Sequence, residues 1–250
     1  MIELQQQQQH FILRLNHGVT NPINLDLIQK INDALDEVCS TEPKPGDGLV
    51  LAGTEKFFSI GFNLPELIEL NEAEFSHFWE EFNQLFFRLY TLPIPTVSAI
   101  SGHAIAGGAV LAITTDYRVG SEGKKRIGLN EIELGIPIPY ATDLVLRQLV
   151  GDRVANHIIY SGNFFNMETM VEGGLIDHIA PTEQVEEQAQ QLIETLTTHT
   201  GPAFTAVKQN RTESIQLAYE KAKDRKNSEF MAMWFSEPVR EKLREAAKTF

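Results

Sequence analysis

From Phe75 to Leu89, apolar side chains return every three or four residues, at Phe75, Phe78, Trp79, Phe82, Leu85, Phe86 and Leu89. A helix lays that spacing on one face, so the stretch predicts a long helix with a broad stripe turned to a core rather than to a cofactor. Pro93 and Pro95 are expected to end it, and the apolar run TVSAI (96–100) predicts a buried strand leading to Gly102. Upstream, HFILRL (His10–Leu15) and GLVLAG (Gly48–Gly53) read as short strands, and INLDLIQKINDALDEV between them has helical spacing. The order is β-α-β. From Asp143 onward helical patterns dominate, broken by GGLIDHIAP, a turn and a short strand. Everything after Gly201-Pro202 reads as helix, which places a boundary near residue 200 between a core (1–200) and a C-terminal region (201–250). The run Gln5–Gln9 predicts a frayed end or an edge strand. No internal repeat has a solenoid period.

Composition narrows the class. A chain of 250 residues with 42% hydrophobic content buries a sizeable core and suits one domain with an appendage. No basic, apolar leader opens it, no apolar run is long enough to span a bilayer, and the last three residues, Lys248-Thr249-Phe250, are not the S-K-L address. A cytoplasmic protein without a membrane partner is expected. The single cysteine, Cys39, excludes an intrachain disulfide. A net charge of −13 argues against nucleic acid, whose partners need a basic face. The charge is uneven: residues 201–250 carry 10 Lys and Arg against 7 acids, so the C-terminal segment is the part able to meet an anionic ligand.

Several chemistries drop out. The chain has no G-x-x-x-x-G-K-[ST], no G-x-G-x-x-G after a strand and no G-x-S-x-G. Its seven histidines lack metal-ligand spacing, so no metal site is expected. His103 alone lies beside a glycine pair, where a neutral turn or pocket-wall histidine explains it better than a catalytic one. What remains is backbone. Gly107 and Gly108 in AIAGGAVLAITTD stand where a turn enters a helix, and Gly61 in KFFSIGFNLPEL makes a tight bend among large apolar residues. Two such bends, each exposing an N–H, are suited to converge on one oxygen.

Taken in order, FFSIGFNL, the aromatic helix, SGHAIAGGAVLAITTDYR and IGLNEIELGIPIP resemble the crotonase, or enoyl-CoA hydratase/isomerase, superfamily over nearly the whole chain. The resemblance implies an α/β fold, a spiral of ββα repeats, followed by a C-terminal helical region that builds trimers, commonly paired into hexamers, and covers the site. It also implies an acyl-CoA substrate, with coenzyme A as part of the substrate and no separate cofactor. Carried over by motif, the N–H groups of Phe62 and Gly107 hold the thioester oxygen, flanked by Gly61 and Gly108. The carbonyls of Ile60 and Leu64 meet the adenine, and Lys56 reaches a phosphate. Family hydratases use two glutamates; here one position holds Val110 and the other Glu131. Apolar neighbours Ile132, Leu134, Ile136 and Ile138 are expected to desolvate Glu131 and raise its pKa.

One carboxylate without a water-activating partner suits a shift of a double bond from C3 to C2, and IGLNEIELGI with FMAMWFSEPVREKL resembles Δ3,Δ2-enoyl-CoA isomerases more than hydratases. Alternatives are hydration, another enolate reaction such as decarboxylation or dienoyl-CoA isomerisation, and a non-catalytic acyl-CoA-binding module. The chain departs from common family patterns at Asn63, at Ala106 and in the prolines of GIPIPY.

Overall fold

The computed structural model describes residues 2–7, 10–40 and 42–248. The chain begins with β1 (Ile2–Gln6), β2 (Phe11–Leu15), β3 (Pro22–Ile23), α1 (Leu25–Val38), β4 (Leu49–Ala52), β5 (Phe57–Ser59), β6 (Gly61–Phe62), α2 (Leu64–Leu67) and α3 (Glu72–Tyr90). It continues through β7 (Thr96–Ile100), β8 (His103–Ile105), α4 (Gly107–Ile113), β9 (Tyr117–Ser121), β10 (Arg126–Gly128), α5 (Glu131–Leu134) and α6 (Tyr140–Ser161). It closes with β11 (Phe165–Asn166), α7 (Met167–Glu172), β12 (His178–Ala180), α8 (Val185–Thr197), α9 (Pro202–Trp234) and α10 (Glu237–Ala247).

The larger sheet runs β1-β2-β4-β7-β9-β12 and is parallel except for the β1–β2 pair. The smaller runs β11-β10-β8-β5, parallel except for β10–β11. The chain alternates between them: β4 then β5, β7 then β8, β9 then β10, each pair followed by a helix. These are the ββα turns of a spiral.

The larger sheet is covered on both faces, which is why its strands read as continuous apolar runs. Ile12, Val50, Ala52, Val97, Ala99 and Val119 pack against Val185, Ala189 and Ile193 of α8. Their neighbours Leu13, Leu15, Leu49, Leu51 and Ile100 point the other way into the main core, as the two-residue period of a strand requires.

Helix α3 starts earlier than the apolar period suggests, because Asn71 and Glu74 close a capping box ahead of Phe75. It ends at Tyr90, where the Thr91 hydroxyl donates to the Phe87 carbonyl at 2.7 Å, so Pro93 and Pro95 lie in the connector and do not themselves stop it. Gln5 and Gln6 sit in the edge strand β1. Gln8, Gln9, Thr249 and Phe250, named in the sequence readings, fall outside the described residues.

At the change of composition near residue 200, Gly201 adopts φ +140° and α9 begins. The helices beyond it do not form a separate core: Ile215, Tyr219, Phe230, Trp234, Val239 and Leu243 join the main one. Buried Lys208 of α9 anchors this region by donating to Asp116 at 2.8 Å and to the Ile94 carbonyl at 3.0 Å. Arg118 is also buried, giving hydrogen bonds to the carbonyls of Leu175 and Thr115 at 2.6 and 2.7 Å and to Asp177 at 3.0 Å. Asp116 and Arg118, which close the glycine motif, are therefore structural, while Tyr117 between them is 37% exposed. Among the described residues no helix is long and apolar enough to cross a membrane.

Candidate functional site

Strand β6 is two residues long and pairs with β3 in the register Pro22↔Gly61 and Ile23↔Phe62. Asn63 N–H donates to the Ile23 carbonyl at 2.9 Å. Alternate residues of a parallel strand face the partner, so the Phe62 N–H between them points away from β3. Gly107 is the first residue of α4, and a first-turn N–H has no acceptor within its own helix. The two residues are brought together by contact at Gly61, whose φ is +95°. A Cβ there would lie 2.9 Å from both the Gly107 nitrogen and the Ile105 carbonyl oxygen. Only glycine allows this approach. Ala106, just before the helix, holds φ +48°, a conformation a side chain disfavours.

Phe62 and Gly107 line a cavity of about 310 Å³ together with Ile60, Leu64, Val110 and Glu131. Trp79, Phe164, Phe230, Trp234 and Ala246 complete much of its apolar wall. Among the described residues lining it, Glu131 is the one ionisable group. Glu131 opens the short helix α5, is 6% exposed, and leaves one carboxyl oxygen buried without a hydrogen-bond partner. Burial pushes its pKa from the ordinary 4.5 up to about 7, opposed only by a hydrogen bond from its own backbone.

That elevation links the site to stability. The folded chain binds the Glu131 proton more tightly than the unfolded chain does, so this contribution is complete below pH 4.5 and is lost as pH rises through about 7. Between pH 5 and pH 8, wild type should therefore lose roughly 2–3 kcal/mol relative to Glu131→Gln. Urea unfolding of both proteins at the two pH values measures it; parallel pH dependence would mean that the carboxyl is not desolvated.

The structure gathers six of the nine expected site residues into one wall: Ile60, Phe62, Leu64, Gly107, Val110 and Glu131. Gly61 stands behind the wall and sets the approach of β6 to α4. Gly108 does not line the cavity. A Cβ on it would meet the Ser59 carbonyl oxygen at 2.2 Å, so this glycine serves the packing of α4 on β5. Lys56 does not line the cavity either, and stands exposed in the turn between β4 and β5. Of the neighbours expected to desolvate Glu131, Leu134 and Ile136 do line the cavity, whereas Ile132 is 45% exposed and Ile138 belongs to another chamber. His103 is outside the cavity, its Nδ1 accepting from the Arg126 N–H at 3.1 Å. The sequence stripe on α3 is core-facing as expected, yet Trp79 also reaches the cavity, as do Phe230, Trp234 and Ala246 from the C-terminal helices. No local pattern separates these four from other core residues.

Residues 7–250 match the family model described as Enoyl-CoA hydratase/isomerase. The chain belongs to that family. An enoyl-CoA isomerase/hydratase of Mycosarcoma maydis, fer4, is 34% identical over 196 residues, covering 75% of this chain and 71% of that protein. The mitochondrial enoyl-CoA delta isomerase 1 of Mus musculus is 30% identical over 184 residues, covering 73% of this chain. That match spans 63% of the mouse protein's length. Among solved structures, the human mitochondrial delta3-delta2-enoyl-CoA isomerase superposes with a TM-score of 0.92 at 23% identity, covering 99% of this chain and 97% of its own. At that identity the likeness speaks for the crotonase fold alone. An enoyl-CoA hydratase of Mycobacterium ulcerans superposes at 0.83 with 27% identity, over 92% of this chain and 99% of that one. Enoyl-CoA hydratase/isomerase family members thus carry both reaction names, and the choice between them rests on the cavity.

Proposed function

We propose that this protein shifts the double bond of an enoyl-CoA from C3 to C2, with Glu131 carrying the proton both ways. One observation supports this above the rest: the one ionisable group among the described residues lining the cavity is a buried carboxyl, while Val110, which lines the same cavity, is fully buried and cannot move a proton. In this reading the N–H groups of Phe62 and Gly107 receive the thioester oxygen. Glu131, ionised near neutral pH, removes a proton from C2. The electron pair spreads through the thioester and the C3–C4 bond as a dienolate, whose oxygen the two N–H groups hold. Glu131 then returns the proton at C4, leaving the double bond between C2 and C3. Ile60 and Leu64 carbonyls and the exposed Lys56 are proposed contacts for the adenine and a phosphate. Coenzyme A arrives as part of the substrate, and the catalytic form is proposed to be a trimer or a pair of trimers.

Hydration needs a second group to orient water and donate its proton, and the apolar wall at Val110 supplies neither. The deciding assay follows 3-enoyl- and 2-enoyl-CoA esters by product. Isomerisation should far outpace hydration; a hydration rate equal to or above it makes the protein a hydratase, and binding without turnover makes it an acyl-CoA carrier. Val110→Glu should slow isomerisation and add a small hydration rate, because burial keeps much of the new carboxyl protonated. Unchanged isomerisation in Val110→Glu would place residue 110 away from the reacting carbons.

A further inference from the structure

Trp79, Ile136 and Phe230 line both the Glu131 cavity and a second chamber of about 400 Å³, walled also by Ile138, Ile159 and Tyr160. The three shared residues are buried, so the partition between the chambers is one side chain thick. Trp79 of α3 and Phe230 of α9 stack with ring centroids 3.7 Å apart and planes 15° from parallel. The Trp79 indole N–H donates to Asn227 at 2.9 Å, one helical turn before Phe230, so the same stretch of α9 fixes both rings. That bond also occupies the indole's polar atom and leaves an apolar partition. The second chamber opens beside Ile132, Tyr160 and Met233, which are 45%, 71% and 43% exposed, and Asp143, Asn156, Lys226 and Glu229 also line it.

Apolar side chains on both faces of the partition, with Ile138 and Ile159 beyond it, suit a hydrocarbon tail, whose affinity grows with each methylene taken out of water. We infer that the Trp79–Phe230 stack is the chain-length stop of this site, closing the acyl cavity against a second chamber that receives the tail of longer acyl groups once the stack is opened. The inference rests on the reading of the Glu131 cavity as an acyl-CoA site.

The test is calorimetric binding of saturated esters from butanoyl- to hexadecanoyl-CoA, which requires no turnover. In wild type, affinity should rise about fourfold per methylene until the tail meets the stack, and then level off. In Phe230→Ala the rise should continue through further methylenes, so that the longest ester binds at least about tenfold tighter than to wild type, a little under two buried methylenes' worth. Adding Ile138→Phe fills the second chamber and should restore the early levelling. If Phe230→Ala does not fold, Phe230→Leu, which keeps much of the apolar volume, must move the break by itself. An unmoved break in the folded variant overturns the inference while leaving the acyl-CoA reading intact. No binding of any ester to wild type overturns both. An unmoved break, together with a lower mass of the Ile138→Phe single variant in light scattering, assigns the chamber to a second copy of the chain and also overturns the inference.

Discussion

Glu131→Gln is expected to lower turnover of 3-enoyl-CoA by about 10²–10⁴-fold, the range a positioned general base contributes, with acyl-CoA affinity kept within a few-fold. Glutamine matches the carboxylate in shape, so the apolar wall formed with Val110, Leu134 and Ile136 is preserved. It cannot accept the C2 proton. The proposed donors, the N–H groups of Phe62 and Gly107, are backbone and are untouched, so binding should persist while chemistry stops. Wild type should show kcat/KM rising with pH through about 7, as burial of the free enzyme's Glu131 dictates, and the residual activity of the variant should lack that limb. Stopped-flow absorbance with isothermal titration of a non-reactive acyl-CoA separates the two quantities. A variant that retains turnover places the base elsewhere.

Gly61→Ala is expected to lower kcat by about 10²–10³-fold, as loss of one oxyanion donor does. The added methyl would sit 2.9 Å from the Gly107 nitrogen, so β6 and the start of α4 must separate, which on the proposed mechanism keeps the Phe62 and Gly107 donors from sharing one oxygen. Alanine also disfavours φ +95°, at a stability cost of roughly 1–3 kcal/mol. Gly174→Ala separates these effects, because Gly174 has φ +77° but no atom within 4 Å of an added Cβ. It should lose stability and keep its rate. Equal loss of kcat in the two folded variants would show that backbone strain, rather than the Phe62 and Gly107 donors, controls turnover.

Much of the architecture was legible because regular elements impose their periods on the chain. The α3 stripe, the β2, β4 and β7 runs and the helical C-terminus follow from spacing alone, and the sheet that buries those runs on both faces explains their continuous apolarity. The ends of α3 were less legible because caps set them: Asn71 and Glu74 at one end and Thr91 at the other are polar residues outside the apolar period. The ββα alternation came through resemblance, since spacing within a strand does not say which sheet it joins.

By itself, the sequence determined the residue types available to the site: glycine at 61, 107 and 108, a carboxylate at 131 and none at 110. Tertiary structure decided what each does. Gly107 and Gly108 are adjacent in the chain, yet one lines the cavity and the other is pressed against Ser59, because successive residues at a helix start face different neighbours. Trp79, Phe230 and Trp234 share the hydrophobicity of core residues, and only the packing of α3 and α9 leaves space beside them. The proton affinity of Glu131 is decided the same way. Desolvation sums contributions from every segment that excludes water, and Val110, Phe164 and Trp234, which line its cavity, are far from it in the chain and invisible to local spacing.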